Sequence, residues 1–252
     1  MSYPSQGKSA LVLGATGAVG KYVLQELLKS PNYSRVSEYG RRVTGEDQLK
    51  AWGIAGEGKG KLEQKKIDFE ALGNGNSQGL KEGNWDVVFI ALGTTRAQAG
   101  SAQAFEKIDR EYVVNAAREA KSDDPNVSQR VIYVSSAGAN PNSWFLYPRS
   151  KGLTELELTK LGYTETIIFR PGVLFQAERP QKRFLEDIAV HAMKLRHSWA
   201  QNYGIEIPTL AKAIQVSGLL GMDRLAKFNA AKTEPFTLID NHSIRPLAQE
   251  TP

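Results

Sequence analysis

Ser9-Ala-Leu-Val-Leu-Gly-Ala-Thr-Gly-Ala-Val-Gly20 is the stretch from which the rest of the chain can be read. Its first five residues, Ser9 to Leu13, are short, apolar and without alternation, as a buried parallel strand requires. Gly14, Gly17 and Gly20 then form a Gly-x-x-Gly-x-x-Gly turn. After the turn, Val19, Val23 and Leu27 fall on one helical face, and Ser30-Pro31 stops the helix. Strand, glycine turn and helix in this order make the context of a dinucleotide-binding unit. The glycines let the backbone approach a pyrophosphate, and the helix N-terminus offers it free N–H groups and a positive dipole end.

Outward from this unit, strand and helix patterns alternate, which predicts a doubly wound parallel sheet with helices on both faces. Strands are expected at Arg35–Tyr39, Leu62–Ile67, Trp85–Leu92, Val131–Val134 and Thr166–Phe169, with a late one at Phe236–Ile239. A helix from Ala102 to Lys121 lines up Phe105, Ile108, Tyr112, Ala116 and Ala120 on one stripe. Asp109 falls within that stripe, either at the helix edge or as a buried polar contact, and no role follows for it. The next helix starts at Pro148, a favourable first-turn position. From Gln176 to about Gly204 the alternation lapses. A helix from Arg183 to Arg196 is expected there, and another from Pro208 to Leu220. The reading is a Rossmann-type α/β domain over residues 1–175. Residues 176–252 would form a small substrate-binding lobe whose elements return to the core, giving one compact unit.

In open sheets of this kind ligands bind outside the carboxyl ends of the strands. The polar clusters fall at such ends, so they would line one crevice. Expected contacts to a nicotinamide dinucleotide are Gly14, Thr16, Gly17, Ala18 and Val19 in the turn, then Arg41 and Arg42 after the second strand. Asp68 and Phe69, Leu92, Gly93 and Thr94, and Pro171, Gly172 and Val173 follow at later strand ends. Two guanidiniums suit a ribose 2′-phosphate, which favours NADPH or NADP over NAD. Glu38, close to the same strand end, is the acid that complicates this preference. Asp68 would either accept from the adenine amino group or cap the helix beginning at Phe69.

Tyr147 and Lys151 lie four residues apart, so on a helix they share one face. A neighbouring cation favours the phenolate, which suits a tyrosine to pass a proton to or from a substrate oxygen. Both also border the expected nicotinamide ribose. A serine hydroxyl at the end of the preceding strand would orient a substrate carbonyl. Ser136 is preferred and Ser135 is the alternative. Trp144, Phe145 and Trp199 suggest an apolar or aromatic wall for a small carbonyl substrate.

The 252 residues, 41% hydrophobic and 23% charged, describe an ordinary globule. With no cysteine, disulfides, thiolate metal sites and cysteine nucleophiles are excluded. His191, His197 and His242 lack metal-ligand spacing, so no metal is expected. The net charge of +5 is spread among acids, apart from Arg41-Arg42 and the surroundings of Arg179 to Arg183, so no nucleic-acid partner is expected. No stretch approaches the roughly 18–20 apolar residues of a membrane span. Met1 to Lys8 is polar, without the apolar core of a signal peptide. A cytoplasmic protein, or one attached peripherally to an organelle, is expected.

The glycine motif, Ser135-Ser136 and Tyr147-x-x-x-Lys151 together resemble the extended or atypical branch of the short-chain dehydrogenase/reductase superfamily. Longer strings are more specific. Ala91-Leu-Gly-Thr-Thr-Arg-Ala-Gln-Ala-Gly100, Asp109-Arg-Glu-Tyr-Val113, Trp144-Phe-Leu-Tyr147, Phe169-Arg-Pro-Gly-Val-Leu174 and Ser198-Trp-Ala200 are similar to the HIV Tat-interactive protein 2 family of oxidoreductases and its fungal mitochondrial relatives. The resemblance implies a Rossmann-type domain, bound NADPH, Ser, Tyr and Lys in the catalytic places, and the nicotinamide end at Pro171-Gly172-Val173. It also implies protein partners, since members act as regulators as well as enzymes. The fungal relatives imply a place at the periphery of the mitochondrial outer membrane. The expected function is an NADPH-dependent carbonyl or quinone reductase, or the corresponding alcohol dehydrogenase. An NADPH-binding regulatory protein with little turnover is the alternative.

Overall fold

A computed structural model describes residues 7–175, 204–228, 230–233 and 235–251. The helix expected from Arg183 to Arg196, together with His191, His197 and Trp199, lies outside them.

Strands β1 (Lys8–Leu13), β2 (Tyr33–Gly40), β3 (Leu62–Lys66), β4 (Val87–Ile90), β5 (Arg130–Val134) and β6 (Glu165–Arg170) belong to one eight-stranded sheet. A separate parallel pair is made by β7 (Val173–Phe175) and β8 (Gly204–Glu206). Near the C-terminus β9 (Ala231–Thr233) and β10 (Phe236–Asp240) rejoin the large sheet. Its order is β3-β2-β1-β4-β5-β6-β10-β9, parallel throughout except for the pairing of β9 with β10. Ala10 pairs with Val36 on one side and Val87 on the other, so the strand order reverses at β1. That reversal opens a crevice at the carboxyl ends of β1 and β4.

Because side chains alternate along a strand, each face of the sheet builds its own core. Ala10, Val12, Val36, Phe89, Ile132, Ile167 and Ile239 bury against the helices Gly20–Lys29, Ile207–Ser217 and Asn241–Ala248. Leu11, Leu13, Val88, Ile90, Val131, Tyr133 and Ile168 pack with Val113, Ala116 and Leu158 of the helices Tyr112–Ala120 and Leu146–Thr159. Burying one such large aliphatic or aromatic side chain contributes roughly 1.5–3 kcal/mol, so both layers are held strongly. Among the described residues, the elements beyond 204 pack onto the sheet: Tyr33 on β2 donates its hydroxyl to Gln215 O at 2.9 Å.

Two helices differ from the sequence expectation in ways that shape the crevice. The helix carrying Lys151 begins at Leu146 rather than Pro148. Pro148 still lies in the first turn, where its missing N–H leaves no bond unmade. Between Ala102 and Ala120 the turn Lys107–Glu111 is π-helical. An extra residue per turn rotates the stripe, and the fully buried face runs through Phe105, Asp109, Val113, Ala116 and Ala120. Ile108 and Tyr112 are only half-buried. Single π-turns are frequent at functional sites.

Candidate functional site

The glycine turn is a backbone cradle. Gly14 has φ +91, and a Cβ there would lie 2.7 Å from the Ala91 carbonyl. A Cβ on Gly20 would come within 2.1 Å of Gly14 O. Gly17 donates its N–H to Gly14 O at 3.0 Å and has looser surroundings, its Cβ position lying 3.2 Å from that oxygen. Thr16, Gly17 and Ala18 are exposed, while Ala15 and Val19 are buried anchors. The helix that follows has no side-chain cap at Val19 and no acid in its first turn. Its N-terminus therefore presents a positive, uncapped end. A cradle that a Cβ would fill, opening onto such an end, fits a diphosphate.

At the end of β2, Arg41 and Arg42 are exposed, and neither is in an ion pair among the described residues. Glu38, on the same strand, is buried and held by other residues. Its buried carboxylate accepts from Thr44 N–H and Oγ1, both at 2.9 Å, and from Gln64 Nε2 at 2.7 Å. The acid that complicated the cofactor preference is thus engaged within the fold. Asp68 does cap the short helix Phe69–Leu72, its Oδ1 accepting from Glu70 N–H at 3.0 Å. Buried Phe69 stacks on Tyr112, with ring centroids 5.4 Å apart and planes at 24°. Burial, and then the hydrogen bond to Glu70, push the Tyr112 phenol up to about 12.

Lys151 is almost completely buried, 4% exposed. Its Nζ lies 2.9 Å from Tyr133 Oη, which accepts a hydrogen bond, and 2.9 Å from Asp109 Oδ1. The second contact is an ion pair whose angles fall short of a hydrogen bond. Asp109 is 0% exposed, and its Oδ2 accepts from Ser150 Oγ at 3.2 Å. Burial alone would drive the Lys151 proton off, but the phenol oxygens of Tyr133 and Tyr147 and the Asp109 carboxylate around it outweigh burial, and the ammonium is held charged well above the usual lysine range. Burial raises the Tyr133 phenol despite the neighbouring Lys151, so it stays neutral. Gly93, after β4, sits beside this pair: its Cβ position is 3.5 Å from Lys151 Nζ and 3.4 Å from Asp109 Oδ1. Leu92 and Thr94 flank it, half-buried.

Tyr147, one turn before Lys151, is 46% exposed, and its ring centroid is 6.1 Å from that of Phe105. Ser135 and Ser136 extend from β5, and Ser135 N–H continues the ladder to Phe169 O at 2.8 Å. Both serine hydroxyl oxygens are shielded from solvent and have no hydrogen-bond partner among the described residues. An unmade bond at a buried hydroxyl costs about 1–3 kcal/mol, so such groups mark a place where a partner is expected. Pro171 is buried, Gly172 donates its N–H to Asn241 Oδ1 at 2.9 Å, and Val173 is exposed. Trp144 and Phe145 stand 96% and 76% exposed at the start of the Lys151 helix.

Sequence reasoning had no place for Tyr133 and assigned nothing to Asp109. One signal was available for Tyr133: it lies two residues before Ser135 on a strand, the interval that returns a side chain to the same face. For Asp109 the signal was a charge inside an apolar stripe, a position charged groups rarely occupy unless paired.

No protein-family model matches the chain. It is similar to Protein HTATIP2 of Rattus norvegicus, 34% identical over 214 residues that span 84% of this chain and 81% of that protein. It is also similar to the mitochondrial protein FMP52-1 of Scheffersomyces stipitis, 32% identical over 235 residues, 89% of this chain and 96% of that one. Among solved structures, the short chain dehydrogenases/reductase YIR035C from Saccharomyces cerevisiae superposes with TM-score 0.63 at 15% identity, covering 98% of this chain and 100% of that one. Among the described residues no helix is long and apolar enough to cross a membrane.

Proposed function

This chain belongs to the family of HTATIP2 and the fungal mitochondrial FMP52 proteins and has the short-chain dehydrogenase/reductase fold, and from that premise we propose that it is an NADPH-dependent reductase of small carbonyl or quinone compounds. The observation that carries this reading is the pair of buried, unpartnered hydroxyls of Ser135 and Ser136 at the carboxyl end of β5. They end the strand that also carries Tyr133, the hydrogen-bond partner of Lys151.

The residues fit the nucleotide. Gly14, Thr16, Gly17, Ala18 and Val19 would hold the diphosphate, and Arg41 and Arg42 the 2′-phosphate. Asp68 and Phe69 would border the adenine, with Leu92, Gly93, Thr94 and Lys151 along the nicotinamide ribose. Pro171, Gly172 and Val173 would flank the nicotinamide. The engagement of Glu38 by Thr44 and Gln64 supports the phosphorylated nucleotide, because this carboxylate is occupied within the fold. When bound, the reduced nicotinamide supplies the hydride. The chain's own residues do the rest. A serine hydroxyl donates to the substrate oxygen and supports its growing negative charge. Tyr147 gives up the proton of its hydroxyl to that oxygen. Lys151 keeps a positive charge beside the ribose and the phenol. Exposed Trp144 and Phe145 support an apolar or aromatic substrate. The names of the FMP52 relatives support a mitochondrial association.

A panel of carbonyls and quinones followed at the nicotinamide absorbance tests the proposal. Turnover is expected, with Tyr147→Phe lowering it by about 10²-fold or more while NADPH affinity changes little. Unchanged turnover in that variant would remove Tyr147 from the mechanism. Tight NADPH binding with no turnover on any compound would instead leave a nucleotide-sensing interaction protein.

A further inference from the structure

We propose that Asp109 and Tyr133 are positioning residues that lock Lys151 as a permanently charged clamp, leaving one of its N–H donors for the nucleotide ribose. The inference rests on the reading above that a nicotinamide nucleotide occupies the crevice, and it assigns roles to two residues that reading does not use.

An isolated ammonium in a protein interior is unfavourable by several kcal/mol unless an opposite charge meets it. Lys151 is that case, and the surrounding elements each make a distinct contribution. From the π-helical turn Lys107–Glu111, Asp109 brings a fully buried carboxylate to 2.9 Å. From β5, Tyr133 brings a fully buried phenol oxygen to 2.9 Å. From its own helix, Tyr147 faces it as a third titratable group. From the loop after β4, Gly93 brings its backbone alongside.

Asp109 is itself fixed. Ser150, next to Lys151 on the same helix, donates to its second oxygen at 3.2 Å. The carboxylate therefore cannot swing away without breaking a contact to the helix that carries the lysine. The π turn is what makes this reachable, since it places Asp109 on the buried face together with Phe105 and Val113.

An ammonium has three donors. One points at Tyr133, and the Asp109 carboxylate lies on another side of the ammonium as an ion pair. Exposed Gly93 stands by the ammonium, where any other residue would place a side chain 3.5 Å from Nζ. A residue with a side chain at position 93 would crowd the ammonium from this side. In this arrangement the positive charge is set by the fold and does not wait for the nucleotide to arrive.

The lock is tested in nucleotide-free protein carrying isotope-labelled lysine, by following the Lys151 side-chain resonance against pH. Lys151→Arg, in which the signal disappears, identifies it. The wild-type lysine is expected to show no titration up to about 10.4, the ordinary lysine value. In Asp109→Asn burial is no longer matched by a carboxylate, and the midpoint falls below that value, while Asp109→Glu restores it. An unchanged titration in Asp109→Asn overturns the proposal. Should that variant fail to fold, Tyr133→Phe decides: a midpoint moved downward supports the lock, and an unmoved one overturns it.

The clamp is tested by NADPH affinity. Wild type should bind equally well at neutral and mildly alkaline pH. Asp109→Asn should lose affinity as pH rises, by about tenfold, the weight of one hydrogen bond to a charged group. A wild-type protein that binds no NADPH, yet keeps Lys151 charged as described, sinks the nucleotide reading and the clamp with it while the lock stands.

Discussion

Gln64 on β3 donates its side-chain amide to Glu38 on β2 at 2.7 Å, directly across a paired position of the sheet. With Thr44 holding the other oxygen, this carboxylate shapes the turn that displays Arg41 and Arg42. Replacing it strands the Thr44 donors. Glu38→Ala should destabilise the protein by about 2 kcal/mol in a urea titration, and its preference for NADPH over NADH should weaken because the turn loosens. Arg41→Ala with Arg42→Ala should leave the fold intact and lower NADPH affinity by about 10–100-fold, with NADH barely affected. Equal losses for both nucleotides would contradict the assignment.

The three motif glycines should separate in experiment. Gly14→Ala meets the Ala91 carbonyl at 2.7 Å in a backbone region that side chains rarely adopt, and Gly20→Ala meets Gly14 O at 2.1 Å. Each should lower stability by about 3 kcal/mol or more, read as a fall in melting temperature. Gly17→Ala has only a 3.2 Å approach and should keep stability within about 1 kcal/mol. Its new methyl would stand on the exposed rim, so nucleotide affinity should still drop. A Gly17→Ala protein binding NADPH normally would place the diphosphate elsewhere.

Acid should loosen the C-terminal helix Asn241–Ala248 through its cap. Asp240 accepts from Ser243 N–H at 2.9 Å and from Ser243 Oγ at 2.7 Å. Partial burial opposes the charge, but these hydrogen bonds and His242 outweigh it and hold the carboxyl below its usual value. The cap therefore contributes stability above the unfolded value of about 3.9 and loses it as pH falls through the folded one. Melting temperature should drop on acidification, and Asp240→Asn should lack that component of the drop. An identical acid profile in both proteins would show that the cap contributes nothing to it.

The sequence announced the sheet more clearly than the site. A central parallel strand such as β4, Val87 to Ile90, is buried on both faces, so it writes itself as an unbroken apolar run. The glycine turn was equally legible, since its spacing follows from backbone contacts within one short segment. Strands of three residues, such as β7, β8 and β9, are too short to carry a period, whereas the five-residue β10 was legible. The helix Asn241–Ala248 was hidden by Pro246 in its interior. The environment of Lys151 was out of reach for a different reason. Asp109 and Tyr133 meet it only because a π turn, a strand and a helix converge, and each looks unremarkable in its own segment. Tyr147 and Lys151 could be paired from the sequence because one helix carries both. The inward turn of Glu38 depended on Gln64, a residue of another strand.

The two margins of the large sheet have a consequence for behaviour at high concentration. One is β3, Leu62 to Lys66, whose side chains are exposed from Glu63 onward and end in Lys65-Lys66. The other is β9, only three residues long and antiparallel to its neighbour. A charged, lysine-rich border and a very short one are both poor templates for docking a foreign strand. The long parallel interior, with its continuous apolar strands, is thereby closed off at either end from growing into the ordered aggregates its composition would otherwise favour.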